Sequence, residues 1–241
     1  MKRKNGDDDV FGFGQLIGIL KKNPKKIVFT EGEDPRILEA SSRLLASYFL
    51  HPILIGDEKR IADAAEESGF NIRGAEIIDP EKFDKIDEMV ELYCELRKKK
   101  GVTPDQAREI LKQANYFGTM LVKMGFADAL LGGATYSTAD TVRPALQLIK
   151  TKPGNNLVSS CFILVRPSAT GDNEVLAMGD CAININPTED DLVEIAGETA
   201  KCARIFDVDP KIAFLSYCTH GSGKGEAVDK MRNAAQKTKE K

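Results

Sequence analysis

The stretch Lys26-Ile27-Val28-Phe29-Thr30-Glu31-Gly32-Glu33-Asp34-Pro35-Arg36 indicates the fold class of this chain. Residues 26–30 form an apolar, β-branched run that is typical of a strand, and residues 31–36 form a polar turn directly after it. Residues 37–50 then carry leucines at helical spacing, which predicts an amphipathic helix. A strand, a turn and a helix in this order are the first unit of a parallel α/β sheet.

The same alternation continues to about residue 150. Further strands are predicted at residues 52–56, 75–78 and 129–133. Helices are predicted at residues 58–68 and 84–100, and a third one begins at Pro104 with Thr103 as its N-cap. That third helix is expected to end at residue 118 or to continue to residue 123.

The segment Thr151-Lys152-Pro153-Gly154-Asn155-Asn156 is the best candidate for a linker, because turn-forming residues fill it. It divides the chain into a first α/β domain, residues 1–150, and a smaller second α/β domain, residues 151–241. In the second domain, strands are predicted at residues 158–165, 175–178 and 211–216. Helices are predicted at residues 192–206, capped by Thr188, and at residues 226–237.

Composition excludes several classes of function. The chain has 241 residues, of which 42% are hydrophobic, and a formal net charge of −3, so no basic face predicts a nucleic-acid partner. It contains no apolar run long enough to span a bilayer. The acidic run Asp7-Asp8-Asp9 precedes only a short apolar patch, which is unlike a signal peptide. We therefore expect a cytoplasmic protein that binds neither nucleic acid nor membrane.

Cysteine and histidine usage argues against a metal site. The five cysteines include no C-x-x-C pair, and their spacing supports neither a zinc site nor a disulfide framework. We expect buried free thiols. With only two histidines, His51 and His220, the chain is also poorly supplied for a Ser-His-Asp triad.

A first candidate site lies in residues 137–144, just after the predicted strand 129–133. Its candidate residues are Ser137, Thr138, Asp140, Thr141 and Arg143. Pro144 favours the first turn of a helix, which would put Arg143 at the helix mouth. Free N–H groups at a helix mouth, hydroxyl donors and a guanidinium together suit a phosphate-like group. The alternative is a capped helix with a surface arginine.

A second candidate site, in residues 215–225, follows the predicted strand 211–216. Its candidate binding residues are Ser216, Thr219, Gly221, Ser222 and Lys224. Hydroxyls, glycines and a lysine between a strand and a helix make a plausible phosphate cradle. It is not a P-loop, because Gly225 follows Lys224, and it is not a dinucleotide fingerprint, because Glu226 replaces the third glycine. The alternative is a surface loop.

Four blocks in this order and spacing resemble the phosphate acetyltransferases, also called phosphotransacetylases. They are residues 30–36, 93–101, 137–150 and 215–222, and the resemblance extends from about residue 25 to about residue 235. Phosphate butyryltransferase, a close relative, shares parts of the pattern. Arg97 and Arg143 match two arginines that this family uses for phosphate and coenzyme A. Taken without the resemblance, Arg97 would be a surface arginine on a lysine-rich helix.

The resemblance implies the reaction acetyl-CoA + phosphate ⇌ acetyl phosphate + CoA, an acyltransferase reaction of acetate metabolism. Its partners would be acetyl-CoA or CoA, phosphate and acetyl phosphate, with CoA a substrate and no metal or other cofactor. Arg143, Ser137 and Thr138 would be catalytic, and the remaining candidates would bind phosphate or CoA. The implied fold has two domains of parallel or mixed sheets flanked by helices. It is isocitrate/isopropylmalate dehydrogenase-like, with the active site in the interdomain cleft and a homodimer as the expected assembly.

The chain departs from the family in one respect. The family continues well beyond the position of Lys241, and that further segment carries a Ser-Arg pair and the aspartate thought to deprotonate CoA. These have no counterpart here, so the second domain is expected to be truncated, and Asp140 matches no family base. Three hypotheses stay open: a phosphate acetyltransferase, complete or as a fragment; a phosphate butyryltransferase; and a catalytically impaired module that binds CoA or acyl phosphate.

Overall fold

The computed structural model describes residues 13–167, 173–219 and 221–241. The predictions about residues 7–9 and about His220 lie outside these ranges. The chain folds as two compact units, one of which is Ile17–Lys150, while Thr151–Lys241 belongs to the other.

The unit Ile17–Lys150 alternates strands and helices as the sequence predicts. Its strands are β1 (Lys25–Phe29), β2 (Leu50–Ile55), β3 (Glu76–Ile78) and β4 (Ala129–Leu131). Its helices are α1 (Phe13–Lys22, which begins just before the unit), α2 (Pro35–Ser47), α3 (Glu58–Ser68), α4 (Ile86–Leu96), α5 (Pro104–Leu111), α6 (Ala114–Lys123) and α7 (Thr138–Pro144).

The strands β1–β4 form a parallel sheet in the order β3-β2-β1-β4, with helices on both faces. Side chains alternate between the faces, as strand geometry requires. Val28 and Ile53 point into a cluster with residues of α4, α5 and α6, whereas Phe29 and Leu54 point into a second cluster with residues of α2 and α3. The predicted α/β class with a helix-flanked parallel sheet is confirmed.

Two helix predictions need correction. The helix expected at residues 84–100 is α4 followed by one 3₁₀ turn, Lys98–Lys100, and it ends at Gly101, which has φ 65°. The helix expected from Pro104 divides into α5 and α6, because Gln113 adopts an extended conformation between them. This bend lets both helices turn apolar side chains, Leu111 from α5 and Phe117 from α6, into the same core cluster.

The unit that contains Thr151–Lys241 is built from a hairpin and two helices in its described part. Strands β5 (Cys161–Pro167) and β6 (Asn173–Gly179) pair antiparallel. Helix α8 (Glu189–Ile205) packs on the hairpin, and α9 (Glu226–Glu240) packs on α8. The predicted capping by Thr188 is confirmed, since its hydroxyl accepts a hydrogen bond from the Asp191 backbone.

The strand predicted at residues 211–216 is wrong. These residues have no regular secondary structure, although Ile212 and Leu215 are apolar. In the part of this unit that the structure describes, β5 and β6 pair only with each other, so residues 211–216 have no strand beside them. A β-prone sequence cannot satisfy its backbone as a strand without such a neighbour.

Asp180, directly after β6, organises the loop that leads toward α8. Its carboxylate accepts hydrogen bonds from the backbone N–H of Asn184 (2.9 Å), from the backbone N–H groups of Ser160, Ala182 and Ile183 (3.3 Å each), and from the side chains of Ser160 and Asn184. Burial alone would raise the pKa of Asp180, but the hydrogen bonds from Ser160 and Asn184 hold it well below its usual range.

Candidate active site

The first candidate segment follows β4 after a loop, residues 132–136. Ser137 is the N-cap of α7: its hydroxyl oxygen accepts a hydrogen bond from the Asp140 backbone N–H at 3.2 Å. The same hydroxyl donates to Asp140 Oδ2 at 2.7 Å, and the Thr141 hydroxyl donates to the Ser137 carbonyl at 3.3 Å. Ser137, Asp140 and Thr141 thus form one hydrogen-bonded turn.

The placement of Arg143 at a helix mouth, predicted from Pro144, is wrong. Helix α7 already begins at Thr138 because Ser137 caps it, and Pro144 is its last residue, followed by a π-helical segment, Ala145–Ile149. Proline inside a helix leaves the carbonyl four residues earlier without its partner. Here that carbonyl belongs to Asp140, and the Asn115 side chain of α6 donates to it at 2.8 Å.

Arg143 therefore lies one and a half turns inside α7 and reaches back toward its first turn. Its Nη1 lies 3.3 Å from Asp140 Oδ1, and its side chain is 56% exposed. Ser137, Asp140 and Arg143 form a continuous polar cluster, with Thr138 exposed at the start of the helix. The guanidinium is accessible to an anion, but Asp140 already neutralises part of its charge.

Arg97 follows α4 directly and differs from the exposed Lys98–Lys100 turn that comes next. Arg97 is half-buried, and within the described residues its buried Nε has no hydrogen-bond partner. A buried N–H without an acceptor is costly. Its position thus differs from that of a fully solvated surface arginine.

The second candidate segment is an irregular loop before α9. Its hydroxyls bind the loop itself: Ser216 Oγ accepts from the Cys218 backbone N–H at 3.2 Å, and Ser222 Oγ accepts from the Thr219 backbone N–H at 3.3 Å. Gly221 has φ 79°, and Lys224 is exposed. The loop is thus folded by its own contacts.

Cys218 lies at the centre of this loop. The Gly223 backbone N–H donates to its Sγ at 3.0 Å, and this hydrogen bond lowers the pKa of the thiol. The five cysteines are free, but the prediction that they are buried is wrong: Cys181 is exposed and the others are half-buried. Cys94 packs against the core cluster without being part of its buried set.

Sequence reasoning missed Glu31 and Asn115 as functional candidates. Asn115 carries no sequence signal, because its role depends on the carbonyl that Pro144 leaves free in another helix. Glu31 does carry one, since it follows a strand of the sheet directly, where ligands of open α/β sheets bind. A cavity of about 750 Å³ opens at this edge, and Glu31 and Thr135 are among its lining residues.

The charged groups of this cavity are largely paired with each other. Arg60 Nη2 lies 2.7 Å from Glu33, and Lys82 Nζ lies 2.8 Å from Asp79 and 3.3 Å from Asp57.

Across residues 13–167, 173–219 and 221–241, no group of three His, Cys, Asp or Glu side chains could hold a metal ion. Within the same ranges, every helix is too short or too polar to cross a membrane.

Comparison with known proteins gives consistent matches. The family described as Phosphate acetyl/butaryl transferase matches residues 13–241. The chain is 47% identical over 216 residues to a phosphate acetyltransferase of Bacillus subtilis, which covers 90% of this chain and 65% of the relative. It is 43% identical over 226 residues to one of Nitratidesulfovibrio vulgaris, which covers 94% of this chain and 31% of the relative.

Solved structures agree. A phosphotransacetylase from Streptococcus pyogenes superposes with a TM-score of 0.86 at 45% identity and covers 95% of this chain and 68% of that one. A phosphotransacetylase from Staphylococcus aureus superposes with a TM-score of 0.81 at 42% identity and covers 94% of this chain and 68% of that one. The chain therefore spans about two thirds of the length of these solved structures and of the Bacillus subtilis relative, and about a third of the Nitratidesulfovibrio vulgaris relative.

Proposed function

Because this chain belongs to the Phosphate acetyl/butaryl transferase family, we propose that it transfers an acetyl group between coenzyme A and inorganic phosphate: acetyl-CoA + phosphate ⇌ acetyl phosphate + CoA. The observation that carries the proposal is the high identity, 47% over 216 residues, to a relative named phosphate acetyltransferase. Butyryl transfer is the second candidate, and the family's description is the observation that favours it.

Toward acetyl-CoA, the thiolate of CoA attacks the carbonyl carbon of acetyl phosphate. A C–S bond forms, the C–O bond to the phosphoryl group breaks, and phosphate leaves with the electron pair. The leaving group carries negative charge that must be neutralised, and Arg143 and Arg97 supply fixed positive charge for it. The buried, unpartnered Nε of Arg97 supports this role.

The hydroxyls of Ser137 and Thr138 have different roles. Ser137 caps α7 and donates to Asp140, so it fixes the first turn of the helix. Thr138 lies exposed beside it and supplies a donor to the carbonyl oxygen as charge develops there. The thiol proton must pass to a base, for which the resemblance implies an aspartate with no matching position in this chain. Because the acyl phosphate or thioester is already an activated acyl donor, the transfer needs no resident cofactor.

In the same proposal, the loop that holds Ser216, Thr219, Gly221, Ser222 and Lys224 binds the phosphate or CoA, and Asp140 and Thr141 belong to the substrate shell. The isocitrate/isopropylmalate dehydrogenase-like arrangement with a cleft and the homodimer are proposed on the resemblance alone, and the cytoplasmic location is proposed on the sequence pattern alone.

The test is an assay of CoA-dependent thioester formation from acetyl phosphate. It compares the 241-residue chain with an extended chain, in which the remaining C-terminal segment of the Bacillus subtilis relative is joined after Lys241. Turnover by either protein supports the proposal, and turnover only by the extended chain shows that the added segment supplies groups that the reaction needs. Butyryl phosphate is the matched alternative substrate. Binding of CoA without turnover by either protein would favour the impaired binding module.

Cys94 should not be needed for the reaction. It lies half-buried on α4 and packs against the core cluster, close to Arg97 in sequence. We expect Cys94→Ser to keep kcat/KM within about twofold, because no step uses this thiol. The kinetics of the extended chain provide the measurement, and a large loss of turnover would show that the thiol takes part.

A further inference from the structure

The carboxylate of Glu31 joins the loop after β1 to the loop after β4. Its Oε1 accepts hydrogen bonds from the Thr135 backbone N–H at 2.7 Å and from the Thr135 hydroxyl at 3.1 Å. Its Oε2 accepts from the Gly133 backbone N–H at 3.2 Å and from the Thr30 hydroxyl at 3.2 Å. Both oxygens are therefore engaged, and two of the donors are backbone groups of residues 132–136.

Neighbouring contacts hold the same loop from other directions. The Thr30 hydroxyl is hydrogen-bonded to the Tyr136 hydroxyl, and Thr30 is only 3% exposed. Arg36 Nη2 donates to the Ala134 carbonyl at 2.8 Å. At Gly132, a Cβ atom would lie 2.5 Å from Thr30 Oγ1, so the loop backbone passes too close to β1 for any other residue.

The loop that is held in this way leads directly into the first candidate segment. Tyr136 precedes Ser137, the N-cap of the helix that carries Thr138 and Arg143. The strands β1 and β4 are neighbours in the sheet, and their carboxyl ends form the edge where open α/β sheets bind ligands. The contacts of Glu31, together with those of Thr30 and Arg36, thus hold the loop that ends at this N-cap.

We propose that Glu31 is a positioning residue for the phosphoryl end of the substrate: it fixes the backbone of residues 133–135 so that Ser137, Thr138 and Arg143 meet the phosphoryl group. This inference rests on the proposed function. A carboxylate suits the task because both of its oxygens are acceptors. A glutamine has one acceptor oxygen and one NH₂ group, so it would face one backbone N–H with another donor.

The experiment compares E31Q with E33Q in the extended chain or, if it turns over, in the 241-residue chain. Glu33 is the matched control because it lies in the same turn but pairs with Arg60 of α3 at 2.7 Å. For E31Q we expect the KM for acetyl phosphate to rise about tenfold or more, since a displaced donor set loses the phosphoryl contacts. The KM for CoA and both KM values of E33Q should stay within about twofold.

A rise in the KM for acetyl phosphate without a rise in the KM for CoA distinguishes a positioning effect from general destabilisation. If E31Q lowers kcat only in proportion to a reduced folded fraction and leaves both KM values unchanged, the inference is overturned. Wild-type kinetics in E31Q overturn it as well. If E31Q does not fold, T135V decides by the same split, because it removes one donor to Oε1 and keeps the backbone. If neither the 241-residue chain nor the extended chain turns over, the proposed function itself is overturned, and this inference with it.

Discussion

Replacing Arg143 with alanine should lower kcat/KM for acetyl phosphate by about 100-fold or more in the extended chain. Removing one donor that stabilises transition-state charge costs about 10²–10³ in rate. In this protein the loss should be increased by Asp140, whose carboxylate lies 3.3 Å from the guanidinium and would face the phosphoryl group unneutralised. Steady-state kinetics with varied acetyl phosphate and varied CoA provide the measurement.

Two further variants define the cause. Arg143→Lys keeps the charge but loses the bidentate fork, so we expect a smaller loss, of about tenfold. Arg43→Ala is the matched control, because Arg43 is 79% exposed and pairs with Glu39 of its own helix, and it should keep wild-type kinetics. Unchanged kinetics of the Arg143→Ala protein would remove Arg143 from the site.

Replacing Asp180 with alanine should lower the free energy of unfolding by about 3 kcal/mol at pH 7, because several donors lose their acceptor at once. The matched control is Asp190→Ala. Asp190 is 86% exposed and pairs with Lys237 at 2.8 Å, so its loss should cost less than about 1 kcal/mol. Urea unfolding at pH 7 measures both. Equal free energies of unfolding of the two variants would show that the hydrogen bonds of Asp180 do not stabilise the fold.

The pH dependence gives an independent check on Asp180. Hydrogen bonds lower the pKa of its carboxyl in the folded protein, so the charged form stabilises the fold above the unfolded-state pKa of about 3.9. That contribution is lost as the pH falls through the lower folded-state pKa. The stability difference between wild type and Asp180→Ala should therefore be constant near neutral pH and shrink below about pH 4. A constant difference down to strongly acidic pH would exclude this linkage.

Local patterns predicted the sheet of the unit Ile17–Lys150 and most of its helices. Helix α3 and the N-cap at Thr103 are confirmed, because a turn or cap is encoded by residues a few positions apart. The strand at residues 211–216 failed because a strand depends on a partner that sequence periodicity does not supply. Local rules also misplaced Pro144: its preference for a first turn is real, but capping by Ser137 and the donor from Asn115 outweigh it.

The candidate site shows the same limit. Ser137, Asp140 and Arg143 were predicted as a group, and they are in contact, because they lie on one short helix. The contacts of Glu31 were not predicted, since three of its four hydrogen bonds join it to residues about a hundred positions away. Contacts of that kind follow from the order of strands in the sheet.

The hydrogen bond between Asn115 and the Asp140 carbonyl joins α7 to α6, so α7 is not an independent surface helix. Pro144 cannot donate a hydrogen bond within α7, and the hydrogen bond from Asn115 of α6 takes its place. The same helix α6 carries Phe117 in the core. The loop before Ser137, at the start of α7, is hydrogen-bonded to Glu31, which follows β1. A ligand bound to Arg143 therefore contacts a helix that is joined to α6 by Asn115 and, through the preceding loop, to Glu31.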